Sequence, residues 1–506
     1  MGRSSATAGG DITVRVDWLA RRLAQQQQDA AATEQHRITM STHRVSRVPD
    51  HVRWANRDAY TPGLVAIGPL HAADAERRLR PGSRLKMAYL HSLISRGEPD
   101  TAKHVAVIQG YVRVVAARER EARAMYAAED VEDIRAEDFI QMLVLDGCFI
   151  IEHLLNVYNN KEEQALHATP FGPAQLAVDL ILAENQIPFF VLVDLIKSTR
   201  LPELDHMGYA PPVLLMKLLL FYLAGEKGRD MSEALPDAGN VAHILHLLHA
   251  TVTAARTRWE PPPGIQDTAV VGMAQEAARL LRRLPLLLLV PLLYPILPEE
   301  RRWSASYGRE DLPSASDLKR MWVRLKKARG GGSSKAPAGV ASALGPVPLA
   351  VKLEHEDCLR LPQLRLEFRT APLLLNLMAF EQSSEQPAGE VSAYAWLMAK
   401  LVQSAEDAGV LVAAEVVQAA GNESKEDVAR IFRKVGAASE AAEQLEKSYL
   451  GEMLGKLRER SRHPLFMMWA DVQRNYFTVP WAVVAEFVAF ITFISTILQT
   501  YGSFKK

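Results

Sequence analysis

The sequence predicts a mainly α fold: a large helical globular domain with a small antiparallel β element, plus one C-terminal transmembrane helix. Three observations carry this. Apolar residues recur at helical spacing from Arg84 to about Leu248 and again from Ala371 onward. Strand-like alternation is confined to "LAVKLEHEDCLRLPQLRLEF", from Leu349. The last apolar run, Trp481 to Tyr501, would extend roughly 30 Å as a helix, one hydrocarbon thickness.

In chain order, residues 1–45 form a variable N-terminal arm, with a helical pattern from Asp17 to about Gln35 that carries a glutamine run. The N-terminus has no continuous apolar stretch of the secretory kind. "VSRVPDHVRWANRDAYTPGLVAIGPL" then reads as an extended, turn-rich stretch set by Pro49, Pro62 and Pro69. The main domain spans 46–478. Its helical segments include "RLKMAYLHSLISRG", "EDFIQMLVLDGCFIIEHLLNVY" and "AQLAVDLILAENQIPFFVLVDLI". "PPVLLMKLLLFYLAG" opens on prolines, where helices start, and closes on Gly225. "LPLLLLVPLLYPILP", from Leu284, is broken by four prolines and too short to span a bilayer, so it reads as core helix fragments. Residues 326–348, "KKARGGGSSKAPAGVASALGPVP", read as a Gly/Ser/Ala/Pro insertion. Helices resume at "APLLLNLMAFEQ" and "SAYAWLMAKLVQSAEDAGVLVAAEVV".

The transmembrane helix is expected over 480–501, with a short tail at 502–506. Trp481, Val484, Phe487, Phe490, Ile491, Phe493, Ile494, Ile497 and Leu498 would form its anchor. Pro480 stands where a first-turn proline is tolerated, and Tyr476, Trp481 and Tyr501 bracket the run as interfacial aromatics do. Glu486, Ser495, Gln499 and Thr500 argue the other way, for a buried terminal helix. With so few residues after the span, the expected arrangement is a tail anchor in the plasma membrane or an endomembrane, with the large domain in the cytosol. Cys148 and Cys358 would then stay reduced, and the sequon Asn422-Glu423-Ser424 would stay unmodified.

Composition narrows the partners. The 506 residues are 48% hydrophobic, enough for a large core, and 59 basic residues balance 59 acidic ones, so no nucleic acid is expected.

Candidate chemistry is thin. In "LAENQIPFF", Glu184, Asn185 and Gln186 interrupt an apolar helix just before Pro188; their side chains are expected to satisfy backbone groups that the proline leaves open. Cys148 and Glu152 share a helix face, whereas His153 lies about 140° round from Cys148, against a nucleophile pair. His243, His246 and His249 drift by about 60° per step, too far round to share one metal. Asp130, Asp133 and Glu137 in "EDVEDIRAED" fall on one helix face, read as solvated. In "EHEDC", strand alternation separates His355 and Asp357 from Glu354 and Glu356. No serine-elbow, dinucleotide or zinc-protease pattern is present, so neither cofactor nor metal nor catalytic residue is expected.

Six blocks in order carry a resemblance: the 45–70 stretch, "LDGCFIIEHLL", "LAENQIPFFVL", "LLNLMAFEQ", "SAYAWLMAKLVQSAEDAGVL" and the closing "NYFTVPWAVVAEFVAFITFISTILQTY". Together they resemble the plant domain-of-unknown-function 247 family, the UPF0481-like membrane proteins. The resemblance implies a helical domain with one C-terminal membrane helix and no known biochemical activity, some relatives being linked to self-incompatibility. It marks Asp146, Gly147, Cys148, Glu184, Asn185, Gln186, Pro188, Phe380 and Glu381 as structural motif residues. One departure stands out: Met321 and Trp322 occupy places where the family tends to show Ala-Gly-Val-like residues. Two functions follow as expectations, a membrane-anchored module that recognises an unknown protein, or a membrane-tethered enzyme. Clustering of Glu152, Glu184 and Glu381 around one cavity would favour the enzyme, and packing of these groups against backbone the module.

Overall fold

The protein is described by a computed structural model that covers residues 45–476 with interruptions, the longest at 255–311 and 329–348, and a short stretch at 492–496. It is mainly helical, as the periodicity predicts, and divides into two compact units.

The first unit holds residues up to Met216 with 237–247 and 382–385. It opens with α1 (Asp50–Ala55) and a 3-10 turn at Arg57–Ala59, short helices inside the stretch that the prolines mark as extended. Then come α2 (Arg80–Gly97), α3 (His104–Ala116), α4 (Glu119–Arg123), α5 (Ala128–Val131), α6 (Ala136–Tyr158), α7 (Gly172–Asp179) and α8 (Phe189–Ser198). The long helix α6 is the hub, with α2, α3 and α8 packed on it. Its "LDGCFIIEHLL" stretch is buried on every side, Cys148, Phe149, Ile150 and Leu155 losing all contact with solvent. A helix so surrounded must be apolar all round, which is why its sequence shows little amphipathic contrast. Among the described residues α6 is the one helix long and apolar enough to cross a membrane, but 72% of its apolar window is buried inside the protein, as in a core helix. Gly147 lets the side chain of Leu195 on α8 approach the α6 backbone closely.

Next in the chain are α9 (Pro211–Asp230) and α10 (Ile244–Ala254). The former continues past Gly225, where the sequence places its end; one helical glycine costs only about 1 kcal/mol and the good helix formers Glu226 and Lys227 follow. The second unit, most of 217–506, contains α11 (Ala315–Arg320), β1 (Arg324–Lys327), β2 (Lys352–Glu354), β3 (Cys358–Leu361) and β4 (Leu364–Leu366). After them come α12 (Thr370–Ser383), α13 (Glu390–Leu401), α14 (Ala405–Ala413), β5 (Val417–Ala419), α15 (Lys425–Ala437), α16 (Gly451–Arg462) and α17 (Pro464–Tyr476). Helix α15 packs on α13 and α14, and α11 on α14 and α17.

The antiparallel expectation holds for the β2–β3 hairpin, with Lys352 opposite Arg360 and Glu354 opposite Cys358. It needs correction elsewhere: β1 joins β3 in parallel, and β4 pairs β5 in parallel. Parallel partners arrive by long crossovers, so local alternation does not announce them. Lys326 and Lys327, assigned to the insertion, are the end of β1. Asp357, expected within a strand, sits in the turn between β2 and β3. The acidic run is not one face either, since α5 stops at Val131 and α6 starts afresh at Ala136, while Asp130 pairs with Arg47 at 2.6 Å.

Of the expected membrane segment, residues 492–496 are helical, with Phe493 57% and Ile494 40% exposed. Trp481, Val484, Phe487, Phe490, Ile491, Ile497 and Leu498 lie outside the described residues, as do the 17–35 helix, the 284–298 run, nearly all of the 326–348 insertion and Asn422.

Candidate functional site: buried carboxylates that read the main chain

Residues 45–71 cross the first unit with little regular structure, yet Val45, Val48, Tyr60, Val65 and Ile67 are buried. Buried N–H groups outside helices and sheets must find other acceptors. Here side chains from α6, α7 and the 180–188 turn provide them.

Asp179, the last residue of α7, gathers three consecutive N–H groups: Gly63 at 2.9 Å, Leu64 at 2.7 Å and Val65 at 2.8 Å, with Gln175 adding a fourth donor at 2.9 Å. Asn185 accepts from Ile67 N–H at 2.7 Å and donates to Val65 O at 3.0 Å and Asp179 O at 2.8 Å, so one amide holds both strands of chain together. Asp146 on α6 accepts from Gly68 N–H at 2.7 Å and pairs with Lys86, whose ammonium also donates to Ala66 O at 2.6 Å. Gly68 adopts φ +73°, and a Cβ there would meet Gln186 O at 2.5 Å, so glycine is required twice over.

Glu184 reaches back to the start of the 45–71 segment, the strap. It accepts from Val48 N–H at 2.8 Å, and Arg53 Nη1 lies 3.0 and 2.8 Å from its two oxygens, with His71 Nε2 at 3.2 Å. Gln186 donates to Leu180 O and Leu182 O, both at 2.9 Å, and accepts from Leu245 N–H at 3.1 Å. Pro188 then leads into α8, whose first N–H, Phe189, donates to Ala242 O at 2.7 Å. The amide and carboxylate side chains therefore satisfy backbone groups, as the proline predicts, but they stand in a turn after α7 rather than inside a continuous helix.

Charge follows this geometry. Burial works against ionised Glu184, but His71, the Val48 N–H and Arg53 hold it below the usual carboxylate range. Burial pushes Asp146 and Asp179 up, against Lys86 and Gly68 N–H in the first case and the three strap N–H groups with Gln175 in the second. Burial also pushes the Cys148 thiol well above its ordinary value and His153 down to about 3, so neither is primed for proton transfer.

The remaining buried acids have partners of their own. Glu152 makes a two-point contact with Arg96, at 3.0 and 2.7 Å, and Arg96 also donates to Asn156 at 2.9 Å. In the second unit Glu381 accepts from Val391 N–H at 2.8 Å and from Ser392 N–H and Oγ at 2.9 and 2.8 Å. It thereby caps the start of α13, where the helix dipole favours an anion. His249 Nε2 lies 2.9 Å from the same carboxylate, and Phe380 packs its ring 5.2 Å from the His249 ring. Asp407 does the same work between α11 and α14, accepting from Ser316 N–H and Ser404 N–H, both at 2.9 Å. Asp179 and Asp407 escape a reading of sequence: one carboxylate in an apolar helix, or one three residues after a serine, looks ordinary until the distant N–H groups are seen.

Glu152 thus meets Arg96, Glu184 the Val48 N–H with Arg53 and His71, and Glu381 the start of α13 with His249. Of the three histidines at three-residue spacing, His243 and His246 accept backbone N–H groups through Nδ1 and His249 meets Glu381. No group of three or more His, Cys, Asp or Glu placed to hold a metal occurs among the described residues. Cys148 and Cys358 are both buried and free.

A family model described as a plant protein of unknown function, DUF247, matches residues 45–495, a range that includes every element of this arrangement. The chain belongs to this family. Its match begins at Val45, where the strap begins. A UPF0481 protein of Arabidopsis thaliana is 22% identical over 463 residues, covering 90% of this chain and 85% of the relative. A putative UPF0481 protein of the same plant is 26% identical over 162 residues, 32% of this chain and 28% of the relative. No solved structure matches.

Proposed function

We propose that this DUF247 chain is a membrane-anchored recognition module that binds a protein partner. The observation that carries the reading is the use of the motif residues: Asp146, Glu184 and Asn185, joined by Asp179, face main-chain groups of the strap, and Glu381 the start of α13. Side chains so committed build a rigid scaffold, and a scaffold is what a recognition surface needs. Trp54 is the natural contact point. It is 91% exposed on α1, next to Arg53, whose guanidinium is fixed on Glu184. A large aromatic displayed on an immobilised helix offers contact area at low ordering cost, the property of a binding hot spot.

The membrane anchor is the 480–501 segment, supported by its length, its interfacial aromatics and the exposure of Phe493 and Ile494. The test is proximity labelling by the intact chain in plant cells, wild type against Trp54→Ala. Carbonate-resistant membrane association in both, with a set of labelled proteins lost only in the variant, is the expected result. An unchanged labelled set would overturn the partner role of Trp54. Extraction of the wild type by carbonate would overturn the anchor.

A further inference from the structure

The turn after α11 is unusual. Trp322 N–H donates to Lys319 O at 3.1 Å and Val323 N–H to Leu318 O at 2.8 Å, the paired bonds of a Schellman helix stop. The residue after the cap in such a stop is left-handed and normally glycine. Here it is Trp322, at φ +60°. A bulky residue in that conformation is strained, and strain that persists is a pointer to function.

What Trp322 touches narrows that function. Its ring lies 5.3 Å from Trp469 and 6.0 Å from Phe466, both on α17, and Arg460 sits over Phe466 at 4.5 Å. Trp322, Phe466, Met467 and Met468 are half-buried rather than enclosed. Exposed Lys319, Arg462 and His463 flank them, and residues 456–463, "KLRERSRH", carry four Lys or Arg against one Glu. Half-exposed aromatics beside an excess of cations match the interface of an anionic bilayer, where Trp prefers to lie and basic side chains are attracted.

The chain itself sets the distance. Helix α17 ends at Tyr476, and the apolar run starts at Trp481, no more than about 18 Å of chain further on. From Phe466 to Tyr476 the helix rises only about 15 Å. We infer that the α11–α17 corner, through Trp322, Phe466 and Met467 with Lys319, Arg462 and His463, is a second membrane contact that docks on anionic phospholipid headgroups. It rests on the anchor reading above, and it would hold the second unit against the bilayer rather than leave it on a free tether.

The test is amide hydrogen exchange of the full chain in nanodiscs of phosphatidylcholine alone or with phosphatidylserine. Segments 319–324 and 463–470 are expected to exchange more slowly in the anionic discs, by roughly fivefold per engaged cation. Lys319→Glu with Arg462→Glu should abolish the difference. Trp322→Gly should reduce it while leaving the unfolding transition in place, since glycine suits the left-handed turn. Equal exchange in both lipids would overturn the contact, and so would protection that grows with the number of chains per disc, which would assign the corner to a second copy. A chain that fails to enter discs would instead sink the anchor. Flotation with phosphatidylserine vesicles then decides the corner alone, with binding lost in the charge-reversed variant as the supporting result and no wild-type binding as the opposing one.

Discussion

Arg53 Nη1 lies 3.0 and 2.8 Å from the two carboxylate oxygens of Glu184, across 131 positions of sequence. The pair fixes α1 on the 180–188 turn, and the Glu184 side chain is fully enclosed. Removing one partner of a buried ion pair leaves the other uncompensated, so Glu184→Gln is expected to destabilise the protein by about 3 kcal/mol. A urea titration checks it, the midpoint falling without change of slope. The pH dependence has a definite sign. Because Glu184 is held below the usual carboxylate range, its contribution is complete above its unfolded value and is lost as pH falls through its folded one. The variant should therefore show a shallower acid limb than wild type.

Gly68→Ala tests the strap at its tightest point. The new methyl meets Gln186 O in a backbone conformation that alanine disfavours, and the same peptide must keep its bond to Asp146. Strain and crowding together should cost roughly 2–4 kcal/mol. Loss of hydrogen-exchange protection at Ile67 and residue 68, with α6 still protected, would show that the strap loosens before the core. A variant as stable as wild type would mean that the turn at 68 can move aside.

How much of this was legible beforehand depends on where the cause lies. Helix α6 and the polar cluster at Glu184, Asn185 and Gln186 can be read from the chain, because apolar spacing and Pro188 are local signals. The partners of those residues cannot. Asp179 and the N–H groups of 63–65 are more than a hundred positions apart, and nothing within either segment names the other. The parallel strands β1 and β5 fail for the same reason, being created by chain crossovers. The insertion starts later than its composition suggests, because Lys326 and Lys327 look like linker residues although the strand ladder recruits their backbones.

His153 supplies a pH test independent of the strap. It is enclosed on α6, its ring stacked on Phe149 at 6.3 Å and tilted against Tyr89 at 6.3 Å. Burial lowers it to about 3, from an ordinary value near 6.5. The unfolded chain thus binds a proton between those values that the folded one refuses, and stability falls as pH drops through that window. The loss should reach about 3 kcal/mol at pH 4. His153→Phe keeps the ring and removes the proton site, so its stability should fall less between pH 6.5 and pH 4. Identical profiles for variant and wild type would show that another group governs acid sensitivity there.

The last test separates strain from packing at Trp322. Trp322→Ala keeps the left-handed backbone cost and loses the contacts with Trp469 and Phe466. Trp322→Gly loses the same contacts but relieves the backbone, a gain of about 1 kcal/mol over alanine. The glycine variant is therefore expected to be the more stable of the two, against the usual rule that alanine is the safer replacement in a folded segment. The wild type should lie within about 1 kcal/mol of the glycine variant, because aromatic stacking of ~0.5–1.5 kcal/mol roughly offsets the strain. Midpoints of chemical unfolding for the three proteins decide it. If alanine were equal to glycine, the turn would have rearranged and the left-handed stop would not be a fixed feature. If the wild type proved several kcal/mol more stable than both, Trp322 would be a core residue held by packing alone, and its half-exposed position beside α17 would need no membrane to explain it.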